Sequence, residues 1–335
     1  MKLNRTFKDF AGTPQRILVV FIVLLAACSS PSTPGPSIPS DPGNPDTDNP
    51  TPGQVPFTGV LTLDEYDWFS VEPYLGVIEI QLPSGTKTRI LNGSMPWRHP
   101  SGKIVFSQGC GSYVNRVVIS DAGLVNPVSP CSSEMTVPGD EYGQSQFGFS
   151  KLSPDQQKVA AEIYYLNLEE DRYVYHTFVF DLAGNTLALI EGASGPEWLP
   201  DGRLLLAGDG LYVTDAALTS TTRIDGSQLN SPVANPDVDP SGAFVAFEYN
   251  QQIWGMNVDG SRLRELISGP KYFKFPTWSP DGNTLVYLAT EDDDRYDQAV
   301  YFTDIDSGQG YVLDLAPVLG HSSSNVPNGP LSWTE

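Results

Sequence analysis

The sequence predicts an all-β fold: a six-bladed β-propeller of four-stranded antiparallel blades, closed by the C-terminal strand joining the N-terminal blade. Three observations predict it. An apolar or aromatic residue, a Pro-Asp-Gly-like turn and a short β-branched and aromatic run follow one another five times along the chain. These copies are spaced by roughly 40 to 54 residues, the range of one propeller blade per repeat rather than one turn of a helical solenoid. Near the C-terminus, Gly329-Pro330-Leu331-Ser332-Trp333 repeats the leading phrase of a blade without a blade behind it.

Taken from the N-terminus, the chain opens with Lys2, Arg5, Lys8 and Arg16, then runs apolar from Ile17 to Ala27 before Cys28. A basic region, a short apolar stretch and small residues read as a secretory signal over residues 1–27. The apolar stretch falls short of the ~20 residues that span a bilayer core, so it reads as a removable segment. Leu25-Ala26-Ala27-Cys28 resembles the lipobox of bacterial lipoproteins, which implies acylation of Cys28 as the new N-terminus; the alternative is an ordinary signal peptide with a chance cysteine. Several acyl chains on one residue give stable attachment. Residues 28–56 comprise that cysteine and a tether of Pro, Ser, Thr, Gly, Asp and Asn, which lacks the apolar surface to offset chain entropy. Residues 57–335 form the propeller domain.

Composition narrows the partners. The precursor carries 19 basic and 40 acidic residues, a formal net charge of −21. Removing residues 1–27 discards four basic residues and Asp9, a net +3, which leaves −21 − 3 = −24. Such a surface repels nucleic acid and anionic lipid and favours cations or basic partners. With Cys28 acylated, Cys110 and Cys131 remain as a pair in a disulfide-permissive compartment. A bridge would close a loop of about 20 residues and add roughly 3 kcal/mol in the chain-entropy view; two free thiols are the alternative. The segment Gly109 to Gly143, rich in Gly, Ser and Pro, reads as an interruption of the repeat.

The last full repeat gives the blade template. Phe275-Pro276-Thr277-Trp278 reads as an inner strand, Ser279-Pro280-Asp281-Gly282 as a tight turn and Thr284 to Leu288 as the second strand. Ala299-Val300-Tyr301-Phe302 then suits a pleated third strand and Tyr311-Val312-Leu313 an outer one. Earlier copies centre on Trp97 to Gly102, Leu152 to Asp155, Trp198 to Gly202 and Val238 to Gly242. In each the proline supplies a fixed φ, and the aspartate accepts hydrogen bonds from nearby backbone N–H groups, a structural duty. Before the first copy, Val60 to Leu63, Gly76 to Ile80 and Lys87 to Leu91 supply three strands that lack an inner partner; the C-terminal phrase completes them.

These phrases resemble the repeats of the TolB-like propeller family, also called WD40-like or PD40 repeats: aromatic-Ser-Pro-Asp-Gly, apolar strand, loop, apolar strand, Asp-x-x-Gly. The likeness covers residues 57 to 335. Departures fall at Ser101 and Ser241 in place of aspartate, at Gln156 in place of glycine and at Val238 in place of tryptophan. The sequence leaves no room for the separate α/β domain that precedes the propeller in TolB itself.

Two loops stand out, Glu169-Glu170-Asp171-Arg172-Tyr173 and Asp292-Asp293-Asp294-Arg295-Tyr296, opposite one another in a six-bladed ring and on one face. Asp171, Asp292, Asp293 and Asp294 are hard oxygen ligands and the candidate Ca2+ site, though no cofactor is expected and solvated hairpins with local Arg–carboxylate pairing are the favoured account of the charges. Tyr173, Tyr249 and Tyr296 are the candidate contact residues for a partner. For catalysis the chain offers three histidines, His99, His176 and His321, and no Gly-x-Ser-x-Gly elbow, Phe147 standing where glycine would be needed after Ser145. The sequence therefore points to a monomeric, membrane-anchored extracytoplasmic module of the bacterial envelope that binds a protein or small ligand. Its rivals are a calcium-assisted hydrolase or lactonase acting on carbohydrate or lactone, and an envelope structural protein.

Overall fold

The computed structural model describes residues 55–67, 74–111, 114–290, 299–315 and 329–335. Cys28, the tether through residue 54, Asp292, Asp293, Asp294, Tyr296 and His321 lie outside them. Val55, expected in the tether, is buried in the core with Leu61 and Phe302, so the folded domain starts at least two residues earlier than the sequence suggested. The described chain forms six four-stranded antiparallel sheets in a propeller arrangement.

Blade 1 holds β1 (Gly59–Asp67), β2 (Tyr74–Leu82) and β3 (Thr86–Asn92); blade 2 holds β4 (Ser94–Arg98), β5 (Ile104–Gly111), β6 (Val114–Asp121) and β7 (Leu124–Pro127). Blade 3 is β8 (Gln146–Leu152), β9 (Lys158–Asn167), β10 (Arg172–Asp181) and β11 (Thr186–Glu191). Blade 4 is β12 (Ser194–Trp198), β13 (Leu204–Ala207), β14 (Leu211–Thr214) and β15 (Thr221–Arg223). Blade 5 runs through β16 (Val233–Val238), β17 (Phe244–Tyr249), β18 (Gln252–Asn257) and β19 (Arg264–Ile267), and blade 6 through β20 (Tyr272–Trp278), β21 (Thr284–Thr290), β22 (Ala299–Asp304) and β23 (Gly310–Leu313). The expected interruption between Gly109 and Gly143 is smaller than the sequence suggested. Its apolar Val117-Val118-Ile119 forms the buried part of β6, and β7 follows, so only the connection from Val128 to Ser145 is irregular.

Ring closure is by β24 (Ser332–Thr334), which pairs antiparallel with β1 through Leu61 and Trp333. Trp333 is buried, donates its indole N–H to the Thr58 carbonyl at 3.1 Å and packs edge-on against Phe57 and Phe302. Closure removes the two free sheet edges that an open ring would expose. The middle strands are buried on both faces because each blade is sandwiched between two others. Thus β9 presents Val159, Ala161 and Ile163 to the core shared with blade 2, and Ala160 to that shared with blade 4.

In blades 2 to 6 the tight turns between first and second strands lie at one end, the turn face; the loops joining second to third strands, among the described residues, lie at the other, the hairpin face. Each tight turn is fixed by its own polar residues. In blade 6, Ser279 Oγ donates to Asp281 at 2.5 Å and accepts from Thr284 N–H at 2.9 Å. Blade 3 repeats this with Ser153 and Asp155, Gln156 adopting φ +58 where the repeat elsewhere has glycine. Blade 5 exchanges the two chemistries: Asp239 accepts from Ala243 and Phe244 N–H, and Ser241 donates to it. Blade 2 uses the His99 ring, whose Nδ1 takes the Ser101 N–H at 3.0 Å. The turn aspartates are thus spent on the backbone.

Candidate functional site

Where the six inner strands meet, the axis is filled. Prolines 96, 196, 236, 276 and 330 occupy the strands near it, and each of β4, β8, β12, β16 and β20 slips register by a bulge as it passes. In four of them the residue before the proline is left-handed: Met95 at φ 52, Gly195 at 52, Asn235 at 47 and Phe275 at 55. A bulge re-aims the strand. Here it turns Phe149 and Phe275 together, rings 5.9 Å apart and edge to face, and leaves a void of about 30 Å³ lined also by Trp97 and Leu331, space for little more than a water or two.

The bulges are held from outside by a carboxylate pattern invisible in the repeat consensus. At one position of the second strand, set by register, the six blades carry Asp64, Ser107, Glu162, Ala207, Glu248 and Leu288. Acids occupy alternate blades, and each accepts the bulge N–H of the next: Asp64 from Met95 at 3.2 Å, Glu162 from Gly195 at 2.9 Å and Glu248 from Phe275 at 2.6 Å. Glu248 also takes the Asn235 side-chain amide at 2.6 Å. A bulge leaves a backbone donor without a ladder partner, and an orphaned buried donor is costly. Glu162 is buried at 4 % exposure, and desolvation pushes its carboxyl up to about 7 against the pull of the Gly195 hydrogen bond. Burial raises Glu248 likewise.

Two residues beyond the bulge N–H groups along the inner strands sits an ionic trio. Lys151 Nζ pairs with Glu197 and, at 2.9 Å, with Asp237, and lies 5.6 Å from the centre of the Trp97 ring. The second Asp237 oxygen accepts the Trp278 N–H at 2.8 Å, so the trio ties blades 3, 4, 5 and 6. These carboxylates are committed, and among the described residues no histidine lines the space. His176 is buried in blade 3, where Nδ1 accepts the Gly192 N–H at 3.3 Å and Nε2 donates to the Pro138 carbonyl at 3.1 Å. Desolvation lowers the pKa of both His176 and His99 and keeps them neutral.

The hairpin face carries a second constellation, centred on the sequence-predicted Tyr173. Strands β9 and β10 are ten residues each, against four each for β13 and β14 in the next blade. Aligned by register, β9 continues five residues beyond the end of β13, roughly 16 Å of extended chain. On the side turned toward blade 4, Glu162 and Thr177 contact that blade: Glu162 through Gly195, and Thr177 by donating to the Ala193 carbonyl at 3.1 Å. Above them blade 4 has ended, and the same side presents Tyr164, Tyr173 and Tyr175. Their ring centres lie 5.8, 6.0 and 6.5 Å apart, with Tyr173 39 % and Tyr175 38 % exposed. Burial first, and the nearby Glu162 carboxylate second, push the Tyr164 and Tyr175 hydroxyls up to about 12. At the tip, Asn167 Oδ1 accepts the Glu169 and Glu170 N–H groups, Arg172 pairs with Glu170, and Asp171 is exposed at φ 49.

The other expected site residues are placed as follows. Tyr249, expected on the surface, is only 7 % exposed: it ends β17 pointing into the core of blades 4 and 5, and its hydroxyl donates to Asn230 at 2.6 Å. It therefore offers no contact face. Cys110 and Cys131 are joined as a disulfide, Cα atoms 6.2 Å apart, which staples the β5–β6 hairpin to the connection leading into blade 3. Of the metal candidates only Asp171 is described, and among the described residues no group of three or more His, Cys, Asp or Glu is arranged to hold a metal ion. Sequence reading missed Tyr164 and Tyr175. The available signal was their alternation through Tyr164-Tyr165-Leu166 and Tyr173-Val174-Tyr175 on a hairpin longer than its neighbours.

No protein-family model matches the chain, and no curated protein is similar to it in sequence. Solved structures do match. TolB from Acinetobacter baumannii superposes with a TM-score of 0.62 at 14 % identity, over 86 % of this chain and 69 % of that one. A provisional TolB from Agrobacterium tumefaciens gives 0.50 at 16 % identity over 82 % and 94 %. Hydrazine synthase from Kuenenia stuttgartiensis gives 0.58 at 10 % identity, over 82 % of this chain and 48 % of that one. At such identities the likeness is one of fold, and the fold is the TolB-like six-bladed propeller.

Proposed function

We propose that this protein is a membrane-anchored extracytoplasmic module that binds or scaffolds a partner on its hairpin face. The observation that carries the reading is the contrast between the axis and the hairpin face. The axis, where a propeller would gather catalytic groups, is filled by proline, Phe149, Phe275 and Trp97 over an internally paired Lys151 trio. The hairpin face instead leaves aromatic side chains uncovered, and exposed aromatics supply contact area at low entropic cost. Fold alone does not choose a function, and propellers also serve enzymes, so the choice rests on this site.

Anchoring rests on the sequence: the basic start, the apolar run from Ile17 and Leu25-Ala26-Ala27-Cys28. Among the described residues no helix is long and apolar enough to cross a membrane. Acylated Cys28 supplies attachment to the outer membrane of a cell that has one, or otherwise to the outer face of the cell membrane, and the tether supplies reach.

Two experiments test the reading. Mass spectrometry of the mature N-terminus should find an acylated Cys28, and Cys28→Ser should move the protein from the membrane to the soluble fraction; an unmodified cysteine on a freely soluble protein would refute the anchor. Photo-cross-linking from a probe at Leu168 on the hairpin face should capture an envelope component that a probe at Asp201 on the turn face does not. Equal yield from both sites would remove the assignment to this face.

A further inference from the structure

Tyr173 and Tyr175, both exposed, and the half-buried Tyr164 combine three properties. They form a compact group, they sit on a strand pair whose neighbour stops short, and exposed acids ring the tip above them. Their ring centres define a triangle with sides 5.8, 6.0 and 6.5 Å. The point equidistant from the three lies about 3.5 Å from each, inside the ~6 Å within which a cation over a ring face is attracted. Glu169, Glu170 and Asp171, all exposed, ring the tip above Tyr173. Arg172, the cation at that tip, is paired with Glu170.

We propose that this hairpin side binds a basic segment of a partner protein, one arginine or lysine resting on Tyr164, Tyr173 and Tyr175 while further basic residues meet the acidic tip. The inference rests on the hairpin-face reading above and names its partner's chemistry. Charge decides among occupants. A neutral sugar would stack on tyrosine equally well, but it would leave the acids unused and would draw nothing from a precursor net charge of −21. A small organic cation would use the rings and not the tip, which lies beyond the Tyr173 ring. A basic segment uses both.

The test uses the full chain and a fluorescent seven-residue peptide alternating arginine and glycine, followed by anisotropy. Tyr173→Ala with Tyr175→Ala should weaken binding roughly tenfold, the worth of two exposed cation–π contacts, whereas Tyr173→Phe with Tyr175→Phe should retain it. Both side chains are more than a third exposed, so the variants should melt with the parent, which a thermal scan verifies. Neutralising Glu169, Glu170 and Asp171 to their amides should weaken binding and flatten its dependence on salt. Unchanged affinity in the alanine pair overturns the aromatic site. So does displacement of the peptide by equimolar tetramethylammonium, which would make the occupant a small cation, or binding of chitotetraose in the peptide's place, which would make it a glycan. None of these results touches the Leu168 cross-link, so failure of this proposal and failure of the hairpin-face reading remain separate outcomes.

Discussion

Replacing Glu162 by glutamine should stabilise the protein above neutral pH and hardly at all at pH 4. Glu162 is fully enclosed between blades 3 and 4, with a carboxyl raised from its ordinary 4.5 to about 7 by desolvation. Ionisation is therefore harder in the folded chain than in the unfolded one. As pH rises from 4.5 to 7 the unfolded state releases a proton that the folded state keeps, so stability falls across that window. A displacement of this size corresponds to about 3 kcal/mol in total, most of it lost between pH 5 and pH 8. Glutamine keeps an oxygen to accept the Gly195 N–H and carries no charge to desolvate. Urea unfolding of wild type and Glu162→Gln at pH 5, 6, 7 and 8 should show curves that nearly meet at low pH. They should part by about 2 to 3 kcal/mol at pH 8, with unchanged m-values. A variant that is less stable than wild type at pH 8, or whose advantage does not grow with pH, would refute the assignment of a costly buried carboxylate.

Other outcomes follow from the same geometry. Below the carboxylate range the sign reverses. The Ser153 and Ser279 hydroxyls hold Asp155 and Asp281 below their ordinary 3.8, and backbone and hydroxyl donors from Thr219 and Ser220 hold Asp215 at about 2. Stability from these turns is present above pH 4 and lost as pH falls through the folded values, so the urea midpoint should peak in mildly acidic buffer. Lys151→Met strands Glu197 and Asp237 beside one another and should cost about 3 kcal/mol or more, partly recovered when both acids are also made amides; a neutral result would show the trio to be hydrated. Trp333→Ala removes the buried clasp of blade 1 and should cost about 3 to 5 kcal/mol by chemical denaturation; a loss below 1 kcal/mol would mean that β24 does not close the ring. Reduction of Cys110–Cys131, separated by 21 residues, should cost about 3 kcal/mol, seen as a lower melting temperature in dithiothreitol and abolished in Cys110→Ser/Cys131→Ser.

The blades were legible because a blade is a local object. Its turns need proline, aspartate and glycine at adjacent positions, and its middle strands need unbroken apolar runs, so Ser279-Pro280-Asp281-Gly282 and Leu285 to Leu288 announce themselves in order. Closure was legible too, since the orphan phrase ending at Trp333 matches the strand missing before Val60. Tyr249 misled because a tyrosine beside a hairpin turn resembles a surface residue in one dimension; only its partner Asn230, from the connection leading into blade 5, shows that it points inward.

What the sequence by itself determined is the ring, its number of blades, the duties of the turn residues and the charge that any partner must meet, all properties carried by contiguous residues or by sums over them. What only the tertiary structure decided is what neighbouring blades do to one another. Asp64, Glu162 and Glu248 fall at one position in alternate blades because register, not spacing, aligns them, and each accepts the N–H that a bulge in the following blade leaves free of its ladder. Tyr173 and Tyr175 are exposed beside a half-buried Tyr164 because β13 ends five residues early, a fact about blade 4 that no reading of blade 3 contains. Burial and exposure are set by what stands opposite, and in a propeller what stands opposite is another blade.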